Sequence, residues 1–215
     1  MSGAGKPAPG TMKFDNEIQR PAAPCADGDC KEESEAMEAI ECIKTRRSVR
    51  KFTGPADHET IQKIVDAAVY APSWKNTQIV RYNIVEDRAK IDAIADTAVL
   101  DFTYNAGTLH YAPMIAVQTV VNGVSGVEPD GSFTTSKGNG WEMYDAGISA
   151  QTFCLAAHAY GVKTVIMGIF DDEKVKSILG IPENETVTAV ISMGVSDVEN
   201  QAPPRKSTDE ILRFL

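Results

Sequence analysis

The run from Trp141 to Tyr160 constrains this chain more than any other, because it reads as one long helix with Gly161 as its stop signal. Ala146, Gly147, Ala150, Ala156, Ala157 and Ala159 make much of that helix thin, so whatever packs on it comes close. Two arrangements accept such a helix. It can lie inside the chain's own core or pack against a second subunit, and its length and small side chains suit both equally.

Met114 to Val121, opened by Pro113, is a near-continuous apolar run of the kind a central strand needs. Around these two stretches the periodicities predict further elements. Ala36, Met37, Ile40 and Ile43 recur at helical spacing. Asp57 caps a second helix through Ile61, Ile64, Val65, Ala68 and Val69, stopped by Pro72. Tyr82 and Ile84 alternate in a strand over 81–85, and Ile91, Ile94, Ala95, Ala98, Val99 and Phe102 share a helical face. Val162 to Met167 reads as a buried strand, and Asp171 caps a short helix ended by Gly180 and Pro182. Val187 to Val195 reads as the last core strand, and Ser207 with Glu210 makes a capping box for a final helix over 208–214. Helices and strands are interspersed without strict alternation, which predicts an α+β domain with a mixed sheet. Residues 122–140, rich in Gly, Ser and Thr, read as a flap beside a site or as a disordered excursion. Residues 1–35, rich in Pro, Gly, Ala and charge, read as a flexible arm ahead of a domain over 36–215.

Charge singles out a different stretch. The formal net charge is -9, yet Lys44, Arg46, Arg47, Arg50 and Lys51 put five cations into eight residues. A bound phosphate explains that, since arginine offers a planar fork of donors to phosphate oxygens and Ser48 adds a hydroxyl. A solvated basic run at a helix end explains it too. A nucleic-acid patch fits less well, because the acidic remainder repels a polyanion over any wide contact. No run approaches the roughly 18 apolar residues of a membrane helix, and the N-terminus lacks the apolar core of a secretory signal. The expectation is a cytoplasmic protein with neither nucleic-acid nor membrane partners.

The cysteines, Cys25, Cys30, Cys42 and Cys154, are expected as reduced thiols; Cys25 and Cys30 read as two thiols in the arm, with a metal or redox pair as the alternative. No phosphate-binding P-loop, dinucleotide fingerprint, metalloprotease helix or nucleophile elbow is present. His58, His110 and His158 are dispersed, and Cys154 in an apolar helix reads as an inert core thiol. A phosphate cluster without acid–base machinery suggests that a cofactor carries the chemistry and that the chain itself supplies no catalytic side chain.

Arg46-Arg47-Ser48-x-Arg50-x-Phe52 followed by Ala71-Pro72-Ser73-x-x-Asn76-x-Gln78 resembles the opening of the FMN-dependent nitroreductase family. The helix Asp145-Ala146-Gly147-x-x-Ala150-Gln151, Gly161, Met167-Gly168-Ile169-Phe170 and the Pro204-Arg205 tail fall in the same order as in that family. The resemblance spans about residues 36–212. It implies a mainly antiparallel sheet flanked by helices, in an intertwined homodimer with one FMN in each of two interface clefts. It further implies that Arg46, Arg47, Ser48, Arg50 and Arg205 hold the phosphate and ribityl chain. Pro72, Ser73, Asn76 and Gln78 would meet the isoalloxazine from the other subunit, and Met167 and Gly168 would approach its N5 and O4 through backbone. The implied activity is ping-pong transfer from NADH or NADPH, by way of the flavin, to a nitro, quinone or related small acceptor. Flavin breakdown, reductive dehalogenation and non-catalytic flavin binding are alternatives on the same fold. Ile79-Val80 stands where the family often has Pro-Trp, and Met167 where some members have an acidic residue.

Overall fold

The apolar run beginning at Met114 is buried on both faces, and that fixes the layering. The computed structural model describes residues 37–215, so the arm with Cys25 and Cys30 lies outside the described residues. Four strands, β1 (Val80–Val85), β2 (Met114–Val121), β3 (Lys163–Met167) and β4 (Glu185–Gly194), make one sheet in the order β1-β2-β4-β3. All three neighbouring pairs are antiparallel, and the only parallel pairing among the described residues is the single bridge Ser48–Thr164. The mixed character expected from the sequence is confined to that bridge.

Seven helices complete the described fold: α1 (Ala39–Thr45), α2 (His58–Ala68), α3 (Arg88–Thr97), α4 (Thr103–Tyr111), α5 (Gly140–Ala159), α6 (Asp172–Leu179) and α7 (Thr208–Ile211). Ile115 and Val117 of β2 pack with Ile91, Ile94, Leu109 and Val175 of α3, α4 and α6. Met114 and Ala116, the alternate positions, pack with Ile64 of α2 and Phe153 of α5. The period of two along the strand therefore serves two layers of helices. None of the described helices is long and apolar enough to cross a membrane.

Local chemistry accounts for most boundaries. The Asp57 carboxylate accepts from Thr60 N at 2.8 Å and starts α2. Asp171 does the same for α6 through Lys174 N at 3.1 Å, and Gly180 ends that helix with φ at 71°. Ser207 and Glu210 form the expected capping box, but the helix they open stops at Ile211 rather than running to 214. The helical face predicted through Phe102 also needs correction. α3 ends at Thr97, Leu100 and Asp101 take φ of 50° and 57°, and a separate α4 follows. Ala98 and Val99 stay buried beyond the helix end, so the apolar pattern outlasts the hydrogen-bonded turns.

The end of β4 anchors the basic segment. Thr53 N donates to Val195 O at 2.8 Å, and Val195 N to Gly54 O at 2.8 Å. A Cβ on Gly194 would stand 2.6 Å from Gly54 O and 2.7 Å from Pro113 Cγ, neither of which can swing aside. Gly194→Ala is expected to lose about 1–3 kcal/mol of stability, read as a lower urea midpoint with an unchanged m-value.

Candidate functional site

Arg46 sits where α1 ends, and its extended backbone turns the chain out of the helix. The segment that follows is stitched along β3 and β4. Val49 is buried and its N–H donates to Thr164 O at 3.0 Å, while Ser196 Oγ donates to Lys51 O at 2.6 Å. Asn200 Nδ2 donates to Ser48 O at 2.7 Å, which brings the returning C-terminal segment alongside. A cavity of about 420 Å³ results, lined by Arg46, Arg47, Ser48, Arg50, Asn200 and Arg205 together with Gln201 and Pro203. The structure thus gathers all five residues expected around a phosphate, although Arg205 lies more than 150 positions from the others in sequence.

None of these four arginines has a carboxylate partner among the described ion pairs. Among the described residues Arg46 Nε is buried with no hydrogen-bond partner, an unusual state for a charged donor. Arg50 lies over the Tyr104 ring at 5.2 Å, and Arg205 Nη1 donates to Pro203 O at 2.9 Å, so both guanidinium groups are oriented in advance. The excess of positive charge reaches His158. Its pKa is pushed down, by its burial first and then by repulsion from Lys163, Arg46 and Arg47. A group with two negative charges and several acceptor oxygens fits this lining; a cation does not.

The second set of expected residues forms a separate cavity of about 310 Å³. Pro72, Ser73 and Gln78 line it with Tyr82, Asp145 and Ser149, above aliphatic side chains of α2. Lys75, Asn76 and Gln78 have φ of 45°, 57° and 50°, left-handed values that cost non-glycine residues about 1–3 kcal/mol each. Several bonds hold the turn in that form. Gln78 N donates to Ser73 Oγ at 3.0 Å, Arg81 Nη1 to Gln78 O at 2.8 Å, and Trp74 N to the Asp145 carboxylate at 3.1 Å. Tyr82 stacks on Phe153 below and hydrogen-bonds Ser149, and burial pushes its phenol up to about 12. Asn76 is exposed and lines neither cavity. Met167 is buried in the core at the end of β3, and Gly168 beyond it is exposed with open space where a Cβ would stand. No described residue lines both cavities.

Residues 122–140, expected as a flap or a disordered excursion, fold back on this turn. Lys75 Nζ is 3.5 Å from Glu128, Trp74 meets Trp141 with ring centroids 4.6 Å apart, and Trp141 Nε1 donates to Thr135 Oγ1 at 3.0 Å. At its start, Gly123 N donates to the Glu142 carboxylate at 2.6 Å and Ser125 Oγ to Asp145 at 2.7 Å. Glu142 and Asp145, both buried on α5, were not singled out as site residues from the sequence. Two acids three positions apart on the buried side of a largely apolar helix were the available sign. Cys42 and Cys154 are free, buried thiols, and burial pushes both up, as expected of an inert Cys154.

A model described as the nitroreductase family matches residues 43–195. The NADPH-flavin oxidoreductase of Vibrio harveyi is 30% identical over 77% of this chain and 69% of its own length. A nitroreductase family protein from Clostridium novyi superposes with a TM-score of 0.64 at 30% identity, covering 74% of this chain and 86% of that one. An FMN-dependent nitroreductase from Clostridium difficile gives 0.63 at 25% identity, covering 81% of this chain and 98% of that one.

Proposed function

The chain belongs to the nitroreductase family, and from that premise we propose that it is an NAD(P)H-dependent oxidoreductase that holds FMN between two copies of itself. The observation that carries this reading is the cavity of four arginines with Ser48, in which, among the described residues, no arginine has a carboxylate partner and the buried Arg46 Nε lacks an acceptor. An FMN phosphate near -2 would supply acceptors to Arg46, Arg47, Ser48, Arg50 and Arg205 and relieve their mutual repulsion. Bound FMN would supply the redox chemistry, taking a hydride from NADH or NADPH and passing electrons in a second half-reaction to a nitro, quinone or related small acceptor. The chain's part is to bind and orient. The strained turn would present Pro72, Ser73, Asn76 and Gln78 to the ring, and the open space at Gly168 would let the ring approach the backbone after Met167.

A second copy is supported by what one protomer leaves undone. The arginine cavity and the turn are separate in a single chain. The outward face of α5 exposes Met143 and Tyr144, with open space over Gly147. Ile40 and Ile43 of α1 and Ile211, Leu212 and Phe214 of the C-terminal segment are exposed as well. An isologous dimer covers such surfaces and brings the turn of one protomer toward the arginines of the other.

The visible spectrum before and after anaerobic NADH or NADPH tests the proposal. A flavin band should bleach on reduction and return when a nitro compound or quinone is added. A band that stays unbleached with both reductants would leave a flavin-binding module in place of an oxidoreductase. A colourless protein that fails to take up added FMN would reject the cofactor assignment altogether.

A further inference from the structure

We infer that Asp145 is the positioning residue of the turn 72–78, an inference that rests on the reading of that turn as the flavin-facing one. Its side chain is buried on α5, 2% exposed, and both carboxylate oxygens stand 3.1 Å from Trp74 N. Oδ2 also accepts from Ser125 Oγ at 2.7 Å, and Ser125 is itself fully buried. One carboxylate thus fastens Trp74, the residue just before the left-handed positions of the turn, and the start of the 122–140 excursion to the same rigid helix.

No cation pairs with Asp145 among the described residues. A buried carboxylate with two neutral donors and no counter-ion is an expensive way to pack a helix on a sheet, since an apolar residue would serve that purpose at lower cost. What the group holds explains it. Trp74 N–H opens the turn in which Lys75, Asn76 and Gln78 take left-handed φ, and Asp145 lines the same cavity as Ser73 and Gln78. Glu142 also holds the excursion to α5 through Gly123 N, but it does not touch the turn, and the direct contacts between the turn and the excursion are weaker or less specific. Lys75 and Glu128 are a partly exposed pair at 3.5 Å, and Trp74 meets Trp141 through ring contact. Gly126 shows how closely the excursion seats, because a Cβ there would stand 2.8 Å from the Trp141 ring. Releasing Trp74 N–H would let the turn relax toward commoner backbone angles and carry Ser73 and Gln78 away from their places.

Amide hydrogen exchange on the flavin-free protein reads the turn, and FMN titration reads the consequence. In the unaltered chain the Trp74 amide should exchange at least about tenfold more slowly than that of Lys75, whose N–H has no backbone partner among the described residues. Asp145→Ala should abolish that protection and bind FMN about tenfold more weakly. Asp145→Asn keeps an acceptor for Trp74 N–H and a partner for the Ser125 hydroxyl, so it should restore both readouts to within about threefold. A merely structural Asp145 would lower the thermal midpoint of Asp145→Ala and leave FMN affinity unchanged. That result overturns the inference, as does an unprotected Trp74 amide in the unaltered chain, which decides the matter even where Asp145→Ala does not fold. Arg46→Ala run beside these variants separates the two layers. If it also binds FMN like the unaltered chain, the flavin site itself is misassigned; if it loses FMN while Asp145→Ala does not, only the role of Asp145 falls.

Discussion

Arg46→Ala is expected to emerge from purification with little flavin and to rebind FMN about tenfold to a hundredfold more weakly than the unaltered chain. The magnitude follows from one charge-assisted hydrogen bond, worth about 1.5–3 kcal/mol, at about 1.4 kcal/mol per tenfold. Arg46 is the arginine to choose because its Nε is already buried with no partner among the described residues, so its desolvation has been met before any ligand arrives. Arg50 and Arg205 have other contacts to fall back on, the Tyr104 ring and the Pro203 carbonyl, and their truncation should cost no more. Lys51→Ala removes the same charge from an exposed residue that does not line the cavity, and it should bind FMN within about threefold of the unaltered chain, as expected for a screened surface charge. Equilibrium titration with FMN, followed by quenching of its fluorescence, measures all of these on one scale. Full flavin content and an unchanged dissociation constant in Arg46→Ala would remove the phosphate assignment.

Much of the architecture was legible because it is written in periodicity. β2 runs over the predicted residues, and Asp57 and Asp171 cap the helices they were expected to cap. The break between α3 and α4 was not legible. Leu100 and Asp101 carry the left-handed angles, and neither is the glycine or proline that usually marks such a stop. The arginines of the basic segment were visible as a local cluster, whereas Arg205 entered only through the family resemblance. Its place beside them depends on Asn200 holding Ser48 O and on the bridges at the ends of β3 and β4, pairings that no local pattern encodes. Asp145 shows the same limit more sharply. An acid on an apolar helix can be read from the sequence, but its partner is a backbone N–H 71 positions away in a turn whose angles only the folded chain defines. The long helix resolves part of the ambiguity it posed. It buries Ala146, Ala150, Phe153 and Ala157 on the chain's own sheet and still leaves Met143, Tyr144 and Gly147 facing outward.

Phe153→Ala is expected to lose about 3–5 kcal/mol of folding stability, against a total of roughly 5–15 kcal/mol for a domain of this kind. Phe153 is fully buried at the middle of α5, among Ile64 of α2, Met114 of β2 and Ile191 of β4. Its ring stacks on Tyr82 with centroids 4.6 Å apart, and Tyr82 in turn hydrogen-bonds Ser149 one helical turn earlier. A void at that point is walled by two strands, two helices and a tethered phenol, so little of it can collapse, which places the loss toward the upper end of the range. Urea denaturation of the flavin-free proteins measures it, and a loss below about 1 kcal/mol would mean that α5 is not anchored through this ring. Scaffold and site then separate by linkage. FMN at about 100 times its dissociation constant adds about 2.7 kcal/mol to any variant that still binds it normally. Phe153→Ala, which leaves the arginine cavity intact and disturbs the turn only through Tyr82, should gain most of that increment when FMN is added, whereas Arg46→Ala at the same FMN concentration should gain markedly less.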